Sequence, residues 1–238
     1  MAIRMKYRRA AGRVAVAALV AAGLAATTAC STPGDAQEVI DQGRVVDGMA
    51  SKVDEGTTRS YTATYQVTGG GTVTVVHTPD PYRDAFLFAG GRYVSTPEFE
   101  LTCENRDCTL VEPLESAAPL DTAAIAAVGD EGFLPAQTIL GLLTKAALNA
   151  GASIEQSDDT LVGEHATCAK VTGLTDAAAE SFETCVTDRG VVGSFEGAVD
   201  GVDVKMFLVS YVETADAASF DVPVDAKVTD ERESAEKK

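Results

Sequence analysis

Short segments of alternating apolar and polar residues, separated by turn residues, constrain the fold of this chain more than any other feature. In the first of them, Tyr61–Val67, the odd positions are apolar or aromatic and the even positions are Thr or Gln. A period of two predicts a β-strand with one buried face. Gly69-Gly70-Gly71 and Gly90-Gly91 interrupt the series and predict turns. The pattern therefore predicts a meander of short strands.

The same alternation predicts further strands on both sides of a central helical region. The predicted strands are 72–78, 82–88, 92–96, 98–103 and 108–112 before that region, and 153–157, 164–172, 182–188, 191–196 and 202–213 after it. The last of them has apolar side chains on both faces, with Met206 on one and Phe207 on the other. This composition predicts a central strand that is covered on both sides.

Apolar residues at helical spacing predict helices before and between the two sets of strands. Residues 36–53 predict an amphipathic helix, although Gly43 and Gly48 weaken it. Residues 121–128 predict a short helix, and a longer one begins near Pro135 and is capped by Gly151. A curved antiparallel sheet around these helices would bury their apolar stripes, so the sequence predicts an α+β domain.

The N-terminus has the pattern of an export signal. Five basic residues and no acids lie within residues 1–29, and an apolar run extends from position 14 to position 29. This order predicts a signal peptide. The run is too short for a transmembrane anchor, which needs about 20 apolar residues. The export route stays open, because Arg8-Arg9 is compatible with a twin-arginine signal.

The end of the apolar run predicts the mode of anchoring. Thr27-Thr28-Ala29-Cys30 resembles a bacterial lipobox, with Thr27 where Leu is usual. The resemblance implies cleavage after Ala29, diacylglycerol on the sulfur of Cys30 and acylation such as palmitate. Residues 30–35 would then form a lipidated tether, and the protein would be exported and anchored to the outer face of the cell membrane. The alternative is ordinary secretion, in which Cys30 has no role.

Charge excludes one class of partner. Removal of residues 1–29 leaves 14 basic and 36 acidic residues, a formal charge of −22. Such a protein will not bind nucleic acid, whose phosphates need basic partners. It should also be repelled by anionic headgroups. The charged, apolar-poor residues 226–238 predict a disordered tail, which leaves 36–225 as a single domain.

The remaining four cysteines predict two disulfides, because an even number in an exported chain is typical of disulfides. The predicted pairs are Cys103–Cys108, across a polar turn, and Cys168–Cys185. If Cys168 lies opposite Cys185 in antiparallel strands, Lys170 faces Glu183 and Val171 faces Phe182. Side chains of opposite charge are then paired on one face of the two strands, and apolar side chains are paired on the other face.

The order of these elements resembles a known family. A lipobox, an opening helix, a strand meander, central helices and a second meander ending in Phe220-Asp221-Val222-Pro223 are similar to the LolA/LolB-type half-barrel and the LppX/LprG-type lipoproteins of high-GC bacteria. The resemblance covers about residues 36–225. It implies a half-barrel sheet around central helices and an apolar ligand in the space between them.

Motifs of catalysis or metal binding are absent from the sequence. His77 and His165 are isolated, and they are more typical of structural or surface histidines than of zinc ligands. Gly193-Ser194-Phe195-Glu196-Gly197 lacks the spacing of a serine nucleophile motif, and Gly69–Gly71 lacks the Lys-Ser/Thr of a phosphate loop. We therefore predict a protein that is not an enzyme and that has no metal or cofactor.

Two functions are compatible with these features. The first is a membrane-anchored protein that binds a lipid or another apolar ligand, with a role in lipid or lipoprotein transfer. Residues predicted to line its cavity are Tyr65, Val75, Phe86, Leu142, Leu143, Met206 and Leu208. The second is an anchored, non-catalytic interaction or sensor module that binds another envelope protein. A filled core and an exposed apolar patch would favour the second.

Overall fold

The computed structural model describes residues 33–113, 128–175 and 177–232. The predicted signal peptide, the predicted lipidation site at Cys30 and residues 121–127 of the predicted short helix lie outside these residues. Helix α1 spans Pro33–Gly56 and helix α2 spans Ala136–Ala147. Two 3₁₀ turns occupy Thr68–Gly70 and Ala217–Phe220.

The strands follow the predicted meander closely. They are Tyr61–Val67 (β1), Thr72–Pro79 (β2), Tyr82–Phe88 (β3), Gly91–Ser95 (β4), Glu100–Glu104 (β5), Asp107–Val111 (β6), Ser153–Leu161 (β7), Glu164–Thr172 (β8), Phe182–Thr187 (β9), Val192–Val199 (β10), Val202–Val212 (β11) and Lys227–Asp230 (β12). Every strand that the alternation predicts is therefore present, with small differences at the ends.

All the strands of the described residues belong to one sheet, in the order β12-β6-β5-β4-β3-β2-β1-β11-β10-β9-β8-β7. Neighbouring strands are antiparallel except β12 and β6, which are parallel. The sheet is large, curved and unclosed, and it curves around α1 and α2. The predicted α+β architecture, a curved antiparallel sheet around helices, is confirmed at this level.

The inner face of the sheet forms the main core with the helices. Helix α1 contributes Val46, Met49 and Val53, which are all buried. Helix α2 contributes Ile139, Leu142, Leu143 and Ala146, the stripe predicted from its sequence. These side chains pack against inner residues of both meanders, such as Tyr65 and Phe195. The core therefore joins the two halves of the sheet through the helices.

The predicted end of α2 is wrong. The helix ends at Ala147 and Leu148 occupies the cap position, rather than Gly151. The backbone N–H of Gly151 instead donates to the side-chain oxygen of Asn149. The chain turns earlier because Ala152 must reach the start of β7, where the backbone carbonyl of Ala152 accepts from Gln42 of α1.

The prediction that β11 is covered on both faces is also wrong. Val204, Met206 and Leu208 are buried on the inner face, but Val209 and Val212 are exposed. The strand is central, between β1 and β10, as predicted. Its outer face is open because the segment that covers the outer face of β2–β6, around Phe220, does not extend over β11.

The prediction of a disordered tail is wrong for Lys227–Asp230, which form β12. These residues pair in parallel with β6, in the register Lys227 to Asp107 and Asp230 to Leu110. Their side chains are exposed, so backbone hydrogen bonds hold the strand rather than apolar burial. Residues 233–238 lie outside the described part of the chain.

Both predicted disulfides are present. Cys103 is bonded to Cys108 and Cys168 to Cys185. Strands β8 and β9 have the predicted register, in which Lys170 lies opposite Glu183 and Val171 opposite Phe182. All four cysteines are buried, and each pair belongs to a cluster on the outer face of the sheet.

Two glycines fix the end of α1 against the turn between β9 and β10. A Cβ atom on Gly56 would lie 2.4 Å from the carbonyl oxygen of Gly190. Gly190 has a φ of +81°, which favours glycine, and its own Cβ would lie 2.2 Å from the carbonyl oxygen of Lys52. The two backbones therefore touch without intervening side chains.

We expect Gly56→Ala to lower the free energy of unfolding by about 1–3 kcal/mol, because the added methyl group must push α1 away from Gly190. Gly48→Ala is the matched control in the same helix, since nothing lies within 4 Å of its added Cβ. That control should gain about 1 kcal/mol from helix propensity. Urea unfolding measures both, and a gain in the two variants alike would contradict the contact.

Candidate functional site

A cavity of about 60 Å³ lies between the inner face of the sheet and the ends of the helices. Its wall comes from the last turn of α1, the residues that begin α2, strands β1–β3 and the turn before β10. The lining residues are Val53, Thr57, Tyr61, Tyr65, Val75, His77, Tyr82, Asp84, Phe86, Phe133, Leu134, Pro135, Ala136, Gln137, Gly190, Val191 and Val192.

The structure divides the seven predicted cavity residues into two groups. Tyr65, Val75 and Phe86 line the cavity. Leu142, Leu143, Met206 and Leu208 do not line it and are buried in the surrounding core. Within the described parts of the chain, side chains of the inner face are therefore packed in the core around these four residues, and this cavity lies at one end of the helices.

The volume of the cavity limits what it can bind. One water molecule takes up about 30 Å³ in the liquid, and an apolar cavity that admits benzene has about 150 Å³. Pockets for small-molecule ligands have about 300–1,000 Å³. A cavity of about 60 Å³ can therefore take a small chemical group, but it does not accommodate an acyl chain in this conformation.

His77 and Asp84 form a buried polar pair in the cavity wall. The ring Nδ1 of His77 lies 2.7 Å from Oδ1 of Asp84, and its Nε2 lies 2.9 Å from the backbone carbonyl oxygen of Thr57. His77 is only 2% exposed. The imidazole thus connects the end of α1 to strands β2 and β3.

The two partners of His77 determine its protonation. A backbone carbonyl can only accept, so Nε2 carries a proton, and a proton on Nδ1 is needed to donate to ionised Asp84. Burial alone would lower the pKa of His77. The hydrogen bond and charge of Asp84, with the Thr57 carbonyl, outweigh burial and raise that pKa above its ordinary value of 6.5. The two hydrogen-bond partners therefore favour the protonated form of the His77 imidazole.

Aromatic rings surround the pair. The Tyr61 and Tyr82 rings both lie 5.3 Å from the His77 ring, measured between centroids. Burial together with the neighbouring Asp84 raises the pKa of the Tyr82 phenol. Burial likewise raises the pKa of Tyr61 and Tyr65. These phenols therefore stay neutral at physiological pH and can serve as hydrogen-bond donors.

The sequence interpretation of His77 as an isolated histidine missed Asp84. The signal was the hairpin of β2 and β3, whose register places His77 directly opposite Asp84. Both strands were predicted, so pairing them across the Asp80-Pro81 turn would have found the contact.

His165 lies in a different, exposed setting. Its Nδ1 is 3.1 Å from Oδ2 of Asp188, and its Nε2 is 3.5 Å from Oδ1 of Asp158. Lys52 of α1 contacts the same Asp188 and also Thr167. The hydrogen bonds from Lys52 and His165 lower the pKa of Asp188. The two carboxylates lie on opposite sides of the imidazole, so they do not converge on one point.

A larger, open groove of about 660 Å³ crosses the outer face of β8–β11. One wall is a row of charged residues in cross-strand register, namely Lys170, Glu183, Glu196 and Lys205. The other wall is formed by smaller side chains, and the floor by the backbone between the rows. The remaining lining residues are Thr68, Val171, Thr172, Ser181, Phe182, Gly197, Ala198, Asp203 and Val204.

Two features are absent from the part of the chain that the structure describes. No group of three or more His, Cys, Asp or Glu side chains is arranged to hold a metal ion within 33–113, 128–175 and 177–232. Neither described helix combines the length and hydropathy needed to span a bilayer.

We expect His77→Gln to lower the free energy of unfolding at neutral pH by about 1–3 kcal/mol, because it removes the imidazole that hydrogen-bonds to the buried Asp84 side chain. Since the pKa of His77 is raised on folding, its contribution is complete below pH 6.5 and is lost as pH rises through the folded-state value. The difference between wild type and variant should therefore shrink at alkaline pH.

Urea unfolding at a series of pH values measures this difference. His165→Gln is the control, since that side chain is 53% exposed and should change stability by less than about 0.5 kcal/mol. A His77→Gln difference that is independent of pH would contradict the ion pair.

Comparisons with known proteins gave structural likenesses only. No family model matches the chain, and no curated protein matches it. An uncharacterized conserved protein from Thermus thermophilus is 10% identical with a TM-score of 0.46, covering 77% of this chain and 98% of its own. MucB is 13% identical with a TM-score of 0.46, covering 77% of this chain and 64% of its own.

MucB in complex with MucA(peri) gives similar values: 12% identity, a TM-score of 0.45, and coverage of 77% of this chain and 62% of its own. The chain therefore spans less than two thirds of MucB. At these scores the likenesses carry no argument about function, which must come from the geometry of the site.

Proposed function

We propose that this chain is an exported, lipid-anchored and non-catalytic binding protein of the cell envelope, which recognises a partner protein in its outer groove. The observation that carries the proposal is the contrast between the two faces of the sheet. Among the described residues, the inner face is lined by packed side chains around a cavity of about 60 Å³, whereas the outer face carries an open groove of about 660 Å³.

The walls of the groove favour an extended segment of a protein. Its charged wall presents Glu183 and Glu196 at the centre, with Lys170 and Lys205 at the two ends. The facing wall has the small side chains of Ser181 and Ala198 at its centre and Asp203 at the end beside Lys205. A chain lying across the strands would therefore meet acidic groups in its middle.

Charge specifies the partner further. Lys205 already pairs with Glu196 at 3.0 Å, while Glu183 has Glu196 rather than a cation on its β10 side. A segment with Lys or Arg at its centre would neutralise this acidic pair. The excess of acidic residues in the whole chain would also steer a basic partner towards it.

Site-specific photo-crosslinking in cells that naturally express the protein tests the groove. A photo-reactive residue at Ala198, which lies in the groove, should crosslink to one defined protein. The same residue at Ser157, which is also exposed but lies on edge strand β7, should not. Equal crosslinking at both positions would contradict a groove-specific partner.

Charge reversal supplies the second arm of the test. Glu183→Lys combined with Glu196→Lys should weaken binding of the crosslinked partner at least about tenfold, because it places basic groups opposite the partner's own. Asp158→Lys combined with Asp159→Lys makes the same change in net charge on β7 and should have little effect. Equal effects of the two double variants would show that only net charge matters.

Binding of an apolar ligand is the second candidate, because Tyr65, Val75 and Phe86 line the cavity as predicted for a lipid site. The cavity would have to widen several-fold to admit an acyl chain. Native mass spectrometry of the domain that begins at Ser31, with organic extraction, distinguishes the candidates. Retained lipid of defined mass would favour this function, and protein without lipid that also refuses added lipid would exclude it.

The anchor is proposed from the lipobox-like residues before Cys30. In a bacterial host, the mature N-terminal peptide should begin at Cys30 and carry the mass of the acyl chains. Cys30→Ser should release the protein from the membrane fraction. A mature N-terminus at another residue would contradict the anchor while leaving the groove proposal intact.

A further inference from the structure

The half-barrel has two rims, and α1 begins at one of them. We call it the proximal rim, and it consists of the β1–β2, β3–β4, β5–β6 and β10–β11 turns with the end of α2. Gln42 of α1 contacts the carbonyl oxygen of Ala152 at this rim, where β7 starts. The last turn of α1 lies at the opposite rim, against Gly190 in the β9–β10 turn.

The most exposed large apolar side chains of the described residues lie at the proximal rim. They are Val224, Leu148, Val202 and Ile40, at 106%, 81%, 64% and 50% exposure. Leu148 caps α2, and Val202 follows the Asp200-Gly201 turn. Single exposed apolar residues are ordinary. Val224, Leu148 and Val202 are nevertheless more exposed than any large apolar residue at the other rim of the described structure.

The position of Val224 follows from its neighbours. Asp225 forms an ion pair with Arg106 in the β5–β6 turn at 3.2 Å, and the backbone N–H of Lys227 donates to the Arg106 carbonyl. The opposite rim carries Val212 at the end of β11 and Val162 in the β7–β8 turn, at 48% and 44% exposure, so the contrast comes from Val224, Leu148 and Val202. The two rims therefore differ in how far their apolar side chains project into solvent.

Chain length places the proximal rim near the anchor. Pro33 is three residues beyond Cys30, so the connection spans at most about 11 Å. The helix rises about 14 Å from Pro33 to Gln42. Gln42 thus lies within about 25 Å of an anchored Cys30, and a modest tilt of the domain brings Leu148 to the bilayer surface.

We propose that the proximal rim is a membrane-contact surface, seated on the bilayer interface with Leu148 and Val202 among the lipid headgroups. This orientation rests on the proposed anchoring at Cys30. The acidic residues of this rim are Glu104, Asp107, Glu131, Asp200, Asp203 and Asp225, so it fits neutral headgroups better than anionic ones. The partner is therefore a bilayer rich in zwitterionic lipid.

The chain contains no Trp, so a single introduced Trp reports its own surroundings. The full-length, lipidated protein is reconstituted in phosphatidylcholine vesicles that contain bromine-labelled acyl chains. Leu148→Trp and Val202→Trp should lose fluorescence by quenching and shift their emission to the blue. Val162→Trp, at the opposite rim, is the matched control and should do neither.

The outcomes separate the orientation from the anchor. Protein that floats with the vesicles but shows no quenching at Leu148→Trp and Val202→Trp would overturn the orientation and leave the anchor standing. Equal quenching at all three positions would also overturn it. Protein that carries no lipid on Cys30 and does not float would overturn both proposals.

Discussion

The attachment of α1 to both halves of the sheet is the constraint on which the rest of the structure depends. The helix buries Met49 completely in the common core. Beyond that burial, Lys52 reaches Asp188 on the β9 side, and the Thr57 carbonyl after the helix reaches His77 on the β2 side. An unclosed sheet has no hydrogen bonds between its two edges, so its curvature has to be fixed by what lies inside it. Helix α1 performs this function, and α2 fills the space beside it.

The small cavity follows from the way in which the helices end. The last turn of α1 and the first turn of α2 meet at the same rim. Backbone and polar groups therefore replace apolar side chains in this part of the core. His77 and Asp84 supply a buried polar pair there, in which each side chain has a hydrogen-bond partner. The cavity is thus polar on one side and aromatic on the other. The cavity forms where the two helices end, and it is not a channel through the core.

The sequence predicts those features that depend on residues close together or on a strict pattern. The alternation around Tyr65 predicts a strand, and the register that brings Cys168 to Cys185 follows from complementary neighbours. Features that depend on contacts between segments far apart in the chain were not predicted. Strand β12 forms by parallel pairing with β6, which leaves no apolar pattern in Lys227–Asp230. In the sequence, the exposed face of β11 has the apolar pattern of a buried face. An apolar residue such as Val209 does not reveal whether another segment of the chain covers it.

The proposed orientation of the domain on the membrane affects which ligand can reach its cavity or its groove. If the proximal rim rests on the bilayer, the His77 end of the cavity lies at the far end of the domain. From Gln42 to Thr57 the chain rises about 22 Å at the helical increment, so an acyl chain would have to leave the bilayer to reach that end. Each methylene exposed on the way costs about 0.8 kcal/mol. The groove instead crosses strand ends near the proximal rim, where Thr68 and Asp203 line it. A partner protein beside the membrane could therefore reach the groove directly, which favours a protein over a bilayer lipid as the ligand of an anchored molecule.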